Sequence, residues 1–409
     1  HRGNVKIMSS FITEPERRTE ISDRCDVLVC GGGIAGAAAA LAARRHGADV
    51  LLIEREYALG GLATLGLVTY YLPLCDGRGR QVSFGLAEEL LKLSIVHGGE
   101  GETDGNPWFT GGSLEERCRQ RYRVRYNANL FAIELEQQLV REGVRILYGS
   151  SVCAVDECGG LIRSVIVENR SGRSAIAAKW VIDATGDARV CDLSSAGTAV
   201  FSQGNVPAAW FYHTSEGRYL LNALGFSDIP DSMKTPEQLE RDKSSIRFTG
   251  IDAGEVSRLT VLSHRMLMDE FLRSGGDSEL HALSTMASIP QLRMTRRLVG
   301  LYTQSDTSPH CTLPDSIGLI PDWRRAGPVY ELSFGTLASG KPGNLLAAGR
   351  CISVTDSMWD ITRVIPACAV TGQAAGTAAA MFENIKAVDM AALQHALRQD
   401  GAVIHENEL

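Results

Sequence analysis

With 409 residues, 44% of them hydrophobic, the chain can bury a large core, and it reads as one nucleotide domain with a second region inserted. A net charge of −7, carried with scattered Lys and Arg, gives no electrostatic footprint for a nucleic-acid partner. No apolar stretch reads as a membrane span. None of the ten cysteines forms a Cys-x-x-Cys pair, which argues against a zinc site, a disulfide framework and dithiol chemistry and favours a reducing cytoplasm.

The first 23 residues are polar and charged (Glu14, Glu16, Arg17, Arg18) and do not resemble a signal peptide. They begin at His1 rather than Met and are expected to be a partly trimmed extension. From Asp26 the pattern sharpens. Val27 to Cys30 reads as a buried strand, Gly31-Gly32-Gly33-Ile34-Ala35-Gly36 as a turn opening a small-residue helix, and Val50 to Ile53 as a second strand ending at Glu54 and Arg55. Gly31 allows the tight turn, Gly33 lets the backbone approach a pyrophosphate at the positive helix end, and Gly36 lets the helix pack on the strand. Glu54 lies 23 residues after Gly31, where a carboxylate can accept from ribose hydroxyls. A lone glycine triplet is weak evidence. A complete strand–helix–strand unit specifies an adenine dinucleotide and leaves NAD and FAD both open.

Just beyond lies the glycine-rich turn Gly60-Gly61-Leu62-Ala63-Thr64, followed by Tyr70 and Tyr71, which read as core or as pocket wall. Leucine spacing predicts a helix over 85–97, then a loop over 98–112. Arg119, Arg121, Arg123 and Arg125 alternate, as on a strand face that is solvated or meets a partner, with an anionic ligand the lesser reading. Phe131, Leu135 and Leu139 predict a helix over 129–142, with a strand at 144–148. Alternation around Gly159-Gly160 predicts a hairpin over 151–169 that begins near Val152. A buried strand at 180–183 ends in Ala184-Thr185-Gly186-Asp187. Residues 190–340 are mixed apart from a helical stretch at 255–273. Asn344 to Ala348 reads as a strand ending at Gly349-Arg350, and Pro366 to Met381 as a helix whose Gly372 and Gly376 permit close approach.

Four separated segments agree with one another: Gly31–Gly36 with Glu54; Gly60–Thr64; Asp183–Asp187; and Ala348–Cys351 followed by Arg363–Pro366 and Thr371–Gly376. Together they resemble the FAD-dependent oxidoreductase family of the glutathione-reductase-like flavoprotein superfamily. The resemblance implies an α/β fold: an FAD-binding Rossmann-like domain, discontinuous over 24–195 and 340–390, with an inserted α+β substrate or cap region at 196–339 and a C-terminal tail at 391–409. It also implies roles. Gly31, Gly33, Ile34, Ala35, Gly36, Glu54 and Arg55 would hold ADP, with Val152 beside the adenine. Gly61, Leu62, Ala63 and Thr64 would bind the cofactor, and Ala184, Thr185 and Gly186 would close over it. Gly349 and Arg350 would contact the pyrophosphate and ribityl chain, and Ile365, Pro366 and Gly372 would bring the late helix to the flavin. Pro366 suits a first helical turn because its missing N–H needs no partner there.

Candidates for the chemistry lie outside these motifs. Arg363 reads either as a clamp for a substrate carboxylate or reduced flavin, or as a structural partner of Asp356 or Asp360. Asp356 is a candidate acid. His213 and His310 are candidate bases, although a surface or hydrogen-bonded histidine is the commoner outcome. Arg293 and Arg296, three apart, would share one side of a helix and could meet an anion. No second Gly-x-Gly-x-x-Gly unit follows, so electrons are expected to come directly from a substrate, or from a partner or free cofactor entering the same site. The expected activity is hydride transfer at flavin N5 to or from a small organic substrate. The runner-up is a flavin monooxygenase using external NAD(P)H, then a thiazole-synthase-like protein. A flavin-containing RNA-modification or scaffold protein is the reading from another class, and the acidic balance counts against it. The expected partners are a small molecule and at most a second copy of the chain, with no nucleic acid, membrane or bound metal.

Overall fold

The computed structural model describes residues 14–100, 103–225, 231–241 and 246–409. β1 (Ile21–Cys30) is fully buried from Val27 onward. α1 (Ile34–Arg45) is buried from Ile34 to Ala43, since its alanines leave no side chain to hold it off the sheet. β2 (Val50–Ile53) runs parallel to β1. α2 (Leu86–Ser94) buries Leu86, Leu90 and Leu91, and α3 (Ala128–Arg141) buries Phe131, Leu135 and Leu139. β3 (Arg145–Leu147) extends the far edge of β2. β4 (Ser151–Cys158) and β5 (Leu161–Asn169) form the expected hairpin, and β6 (Gly172–Asp183) follows. The sheet order is β3-β2-β1-β6-β5-β4. β6 lies parallel to β1 along one edge. Its other edge pairs with β5 in the first half and with the late strand Leu345–Ala347 in the second.

The inserted region carries an antiparallel sheet of β7 (Ala209–Ser215), β8 (Arg218–Leu224) and, beyond α4 (Ala253–Arg273), β9 (His281–Met286). Leu267 and Phe271 of α4 pack on Phe211 and Leu224 of that sheet. β10 (Ser316–Pro321) pairs with β11 (Val329–Ser333), and the chain returns through β12 (Leu345–Ala347) to α5 (Asp356–Thr362), α6 (Ile365–Met381) and α7 (Met390–Gln399). α6 lies along α1 at backbone contact. A Cβ at Gly372 would sit 2.2 Å from the Ala35 carbonyl oxygen, and one at Gly376 2.1 Å from that of Ala39. Among the described residues no single helix is long and apolar enough to cross a membrane.

Several sequence expectations change. β1 begins at Ile21, pairing with Ala175, so the extension ends before residue 23. The boundary at 339/340 falls inside one core: Ile317, Ile320, Tyr330, Leu332 and Phe334 pack in the same cluster as α1 and α6. The expected tail contains α7 and buries Leu393, Leu397 and Ile404. The alternating arginines do not share a strand face. Ser113 and Glu116 form a capping box that starts a helix over Leu114–Arg119, and only Val124–Arg125 is extended. Arg293 and Arg296 share no helix either, because Arg296–Leu298 is a short strand paired with Thr198–Val200. Tyr71 is core, its hydroxyl donating to the Ala87 carbonyl at 2.6 Å.

Candidate active site

A cavity of about 850 Å³ opens where β1, β2 and β6 end, at the carboxyl edge where open α/β sheets bind ligands. The turn that floors it is tightly determined. Gly31 has φ +105°, and a Cβ there would lie 2.4 Å from the Ala184 carbonyl oxygen, so only glycine fits. Gly33 caps α1 with no side-chain hydrogen bond, leaving the first-turn N–H groups as free donors. A Cβ on Gly33 would meet no protein atom within 4 Å, so the space above this helix end is open cavity. Gly36 differs: a Cβ there would lie 1.8 Å from the Gly31 carbonyl oxygen, so it serves packing.

Glu54 forms the next wall. It is 8% exposed, and its carboxylate accepts from the Gly32 N–H at 2.6 Å and the Glu56 N–H at 2.9 Å. Burial raises its pKa above the ordinary glutamate value. The remaining lone pairs would be satisfied by hydroxyl donors from a ligand. Arg55 stands at the rim, 3.9 Å from Asp187. Gly186 lets Arg350 reach across, since a Cβ there would fall 2.1 Å from the guanidinium. Arg350 then donates to the carbonyls of Leu292 at 2.5 Å and Arg293 at 3.1 Å, tying the nucleotide half to the inserted region.

At the far end, α6 begins at Ile365 with no side-chain cap, and Arg363 stands beside it on the cavity wall. The guanidinium donates through Nε (3.0 Å) and Nη2 (2.5 Å) to one oxygen of Asp360, and it lies 6.0 Å from the centre of the Trp323 ring. Asp360 is fully buried, with Arg324 at 3.8 Å. The structural pairing with Asp360 and the placement at the cavity therefore coexist. Cys368, one turn into α6, is a neutral thiol that burial pushes up to about 12.

Of the residues singled out from sequence, Gly31, Gly33, Ile34, Ala35, Glu54, Arg55, Gly61, Leu62, Ala63, Val152, Ala184, Thr185, Gly186, Arg350, Ile365 and Arg363 line this cavity. Others do not. Thr64 is buried, with its hydroxyl on the Leu59 carbonyl. A Cβ on Gly349 would meet Ala35 at 2.6 Å, and Gly36, Pro366 and Gly372 likewise pack helices and turn together. Asp356 is also off the wall. It opens α5, and its carboxylate accepts from the N–H and hydroxyl of Ser202. His213 lies in β7 against Phe211 and His281, away from the cavity, where burial lowers its pKa. His310 pairs with Glu406 at 2.8 Å.

Arg296, read from sequence as able to meet an anion, does line the cavity, as does Asp187 at the end of its turn, whereas Ser150, Arg189, Gly250–Ala253, Val256, Ser257, Ile289 and Pro290 also line it and were not singled out. The start of α4 was visible in principle, because Asp252 caps it by accepting from the Glu255 N–H at 2.8 Å. Nothing in that motif says which cavity the helix end faces.

These residues fit FAD. An open glycine cradle under an uncapped helix end suits a pyrophosphate, a buried carboxylate suits ribose hydroxyls, and a second uncapped helix end beside an arginine suits an electron-rich ring edge. The sequence profile of the family described as FAD dependent oxidoreductase matches residues 26–206 and 203–397. The chain belongs to this family. A stretch of 70 residues is 31% identical to a thioredoxin reductase of Ureaplasma parvum, covering 17% of this FAD-dependent oxidoreductase but only 23% of that reductase. Among solved structures, the p-nitrophenol 4-monooxygenase PnpA of Pseudomonas putida superposes with a TM-score of 0.46 at 11% identity, covering 91% of this chain and 84% of the other. CabE, an aromatic hydroxylase from angucycline biosynthesis, gives 0.41 at 15% identity, covering 81% of this chain and 57% of that one.

Proposed function

We propose that this FAD-dependent oxidoreductase moves a hydride between flavin and a small organic molecule held on the inserted-region side of the cavity. The observation that carries the reading is the difference between the cavity's two sides. One is the glycine cradle with Glu54. The other is supplied by Gly250–Ala253, Val256, Ser257, Ile289, Pro290 and Leu292, which belong to no nucleotide motif.

Bound FAD would supply a hydride acceptor or donor at its N5 position. The rest is the work of the chain. The first turn of α1 binds the pyrophosphate, and Glu54 fixes the ribose. The uncapped start of α6 and Arg363 would favour negative charge on a group bound beside them. Asp360 and Trp323 fix Arg363 in place beforehand, so no reorganisation is required at the moment of reaction. Leu62, Ile289, Pro290 and Leu292 line part of the space with apolar surface.

The sheet inventory speaks against a built-in nicotinamide domain, so electrons would come directly from the substrate, the reading proposed, or from a partner or free cofactor entering the same cavity. Among the described residues, only the sheet that carries the cradle has parallel strands, and the others are small antiparallel pairs or a triplet. The test is an anaerobic screen of amines, hydroxy acids, sugars and enoates. Amines, hydroxy acids and sugars are offered to the oxidised flavoprotein, enoates to the flavoprotein reduced beforehand. At least one should change the flavin band near about 450 nm without added nicotinamide. If NADPH alone reduces the flavin and no class exchanges electrons with it, direct transfer is wrong.

A further inference from the structure

A second, smaller chamber adjoins the first. Its volume is about 120 Å³, and it is walled by α4 (Leu259, Ser263, Leu267), by Trp210 of β7, and by Ile289 and Pro290. The last two residues also line the large cavity, so the two spaces share a wall. Two buried polar atoms at the small chamber have no hydrogen-bond partner among the described residues: Trp210 Nε1 and Ser263 Oγ.

Both are unusual for their surroundings. A serine or threonine inside a helix normally satisfies its hydroxyl on the carbonyl one turn back. On this same helix Ser257 does so to Ala253 at 2.8 Å, and Thr260 does so to Val256 at 2.9 Å. Ser263, only 7% exposed, does not. The Trp210 indole is held from two sides. The Arg293 guanidinium lies 5.4 Å from its ring centre, and Tyr70 meets it edge-on at 6.3 Å. Its N–H is therefore fixed in direction without being satisfied. Gln291 beside them is occupied: it accepts from the Trp210 backbone N–H at 3.1 Å and donates to the Gly66 carbonyl. Buried donors that are held rigidly and left unmet mark a place where a ligand acceptor belongs.

The walls also define what is excluded. The one titratable side chain on the wall is His264, exposed on α4, and among the described residues no carboxylate, guanidinium or ammonium lines the chamber, so a charged ligand held in its interior would lose its water without gaining a buried charged partner. The volume admits about ten non-hydrogen atoms, taking one water-sized site as roughly 10–15 Å³. We infer that this chamber is a substrate subsite. It takes the apolar body of an uncharged molecule of that size whose carbonyl or hydroxyl oxygen accepts from Trp210 Nε1 and Ser263 Oγ. The reacting carbon would reach past Ile289 and Pro290 to the large cavity. This last point rests on the hydride-transfer reading above, whereas occupancy of the chamber does not.

The test is calorimetric titration of the flavin-loaded protein with acetophenone, cyclohexanone and phenol, set against benzoate and benzylamine as charged probes of similar size. At least one neutral probe should bind with a Kd below about 10 mM, and the charged ones at least about tenfold more weakly. Ser263→Ala and Trp210→Phe should each weaken the neutral probe by roughly 3–10-fold. Ser263→Leu, which fills the chamber, should abolish binding while leaving the flavin spectrum and melting temperature at parental values. If Ser263→Leu itself unfolds, the Ser263→Ala and Trp210→Phe titrations decide. Equal affinity in parent and variants, equal binding of benzoate or benzylamine, or no binding by any neutral probe would each overturn the inference. Flavin that retains its spectrum and exchanges electrons with a substrate while the neutral probes fail would sink the subsite and leave the hydride reading standing. The opposite pair of results would do the reverse.

Discussion

Gly33 offers a clean separation of folding from cofactor binding. Its φ of −66° is ordinary for any residue, and an added Cβ would touch no protein atom within 4 Å. Gly33→Ala should therefore fold normally, with stability unchanged or raised by up to about 1 kcal/mol as the unfolded chain loses freedom. The new methyl, however, stands in the open space above the uncapped end of α1. A phosphate displaced by it loses up to two charge-assisted hydrogen bonds of about 1.5–3 kcal/mol each. The sum, about 3–6 kcal/mol, corresponds to FAD binding weaker on the order of 10²–10⁴-fold. The assay pairs a thermal melt with FAD titration of stripped protein. Gly36→Ala is the contrasting control: its Cβ would lie 1.8 Å from the Gly31 carbonyl oxygen, so it should fail to fold. A Gly33→Ala protein that melts like the parent and binds FAD equally well would refute the cradle assignment.

Glu54 predicts a pH dependence of cofactor affinity. Burial raises its pKa in the empty protein, and ribose hydroxyls donating to the carboxylate would lower it again, so affinity should fall as pH drops through the raised value, a window above the free-glutamate value of about 4.3. Glu54→Gln should weaken FAD roughly 10–100-fold at pH 7 and remove that dependence, as followed by fluorescence titration. Arg363→Met strands the buried Asp360 carboxylate and should cost about 3 kcal/mol in urea unfolding, the low end for such pairs because Arg324 remains 3.8 Å away. Adding Asp360→Asn should restore most of the stability but not the rate of flavin reduction. A double variant that reduces at the parental rate would show that Arg363 is purely structural. His213 makes the opposite forecast. Its native pKa is lowered, first by burial and then by His281, so the unfolded chain binds the proton more readily and stability should fall as pH drops below about 6.5. His213→Asn should flatten that fall, read from melts between pH 5 and 8, without changing flavin reduction. A slowed reduction would return His213 to the chemistry.

The nucleotide half was legible because each of its demands shows as a residue type. Gly31 needs a left-handed turn, Gly36 and Gly372 need backbone contact, and Glu54 needs a fixed spacing, and each is a local constraint. The motifs named neighbours of the cavity as well as its walls, however. Gly36, Gly349 and Gly372 are required for packing around the site rather than for touching a ligand. The inserted region was opaque for a different reason. Gly250–Ala253, Val256, Ser257, Ile289 and Pro290 reach the cavity only through tertiary packing of α4 against β7, and no periodicity in α4 reports which of its ends faces the cavity. Asp356 misled because an acid at a helix start serves that helix and its neighbour Ser202 as readily as a substrate.

The most direct test of the central claim is a crystal structure of the flavin-loaded protein. The pyrophosphate should lie within hydrogen-bond distance of the N–H groups of Ile34 and Ala35, with the ribose hydroxyls on Glu54. The ring system should lie between the start of α6 at Ile365 and the Ile289–Pro290 wall. A cofactor whose phosphates avoid the α1 terminus, or whose ring lies away from Arg363 and Pro290, would contradict the account.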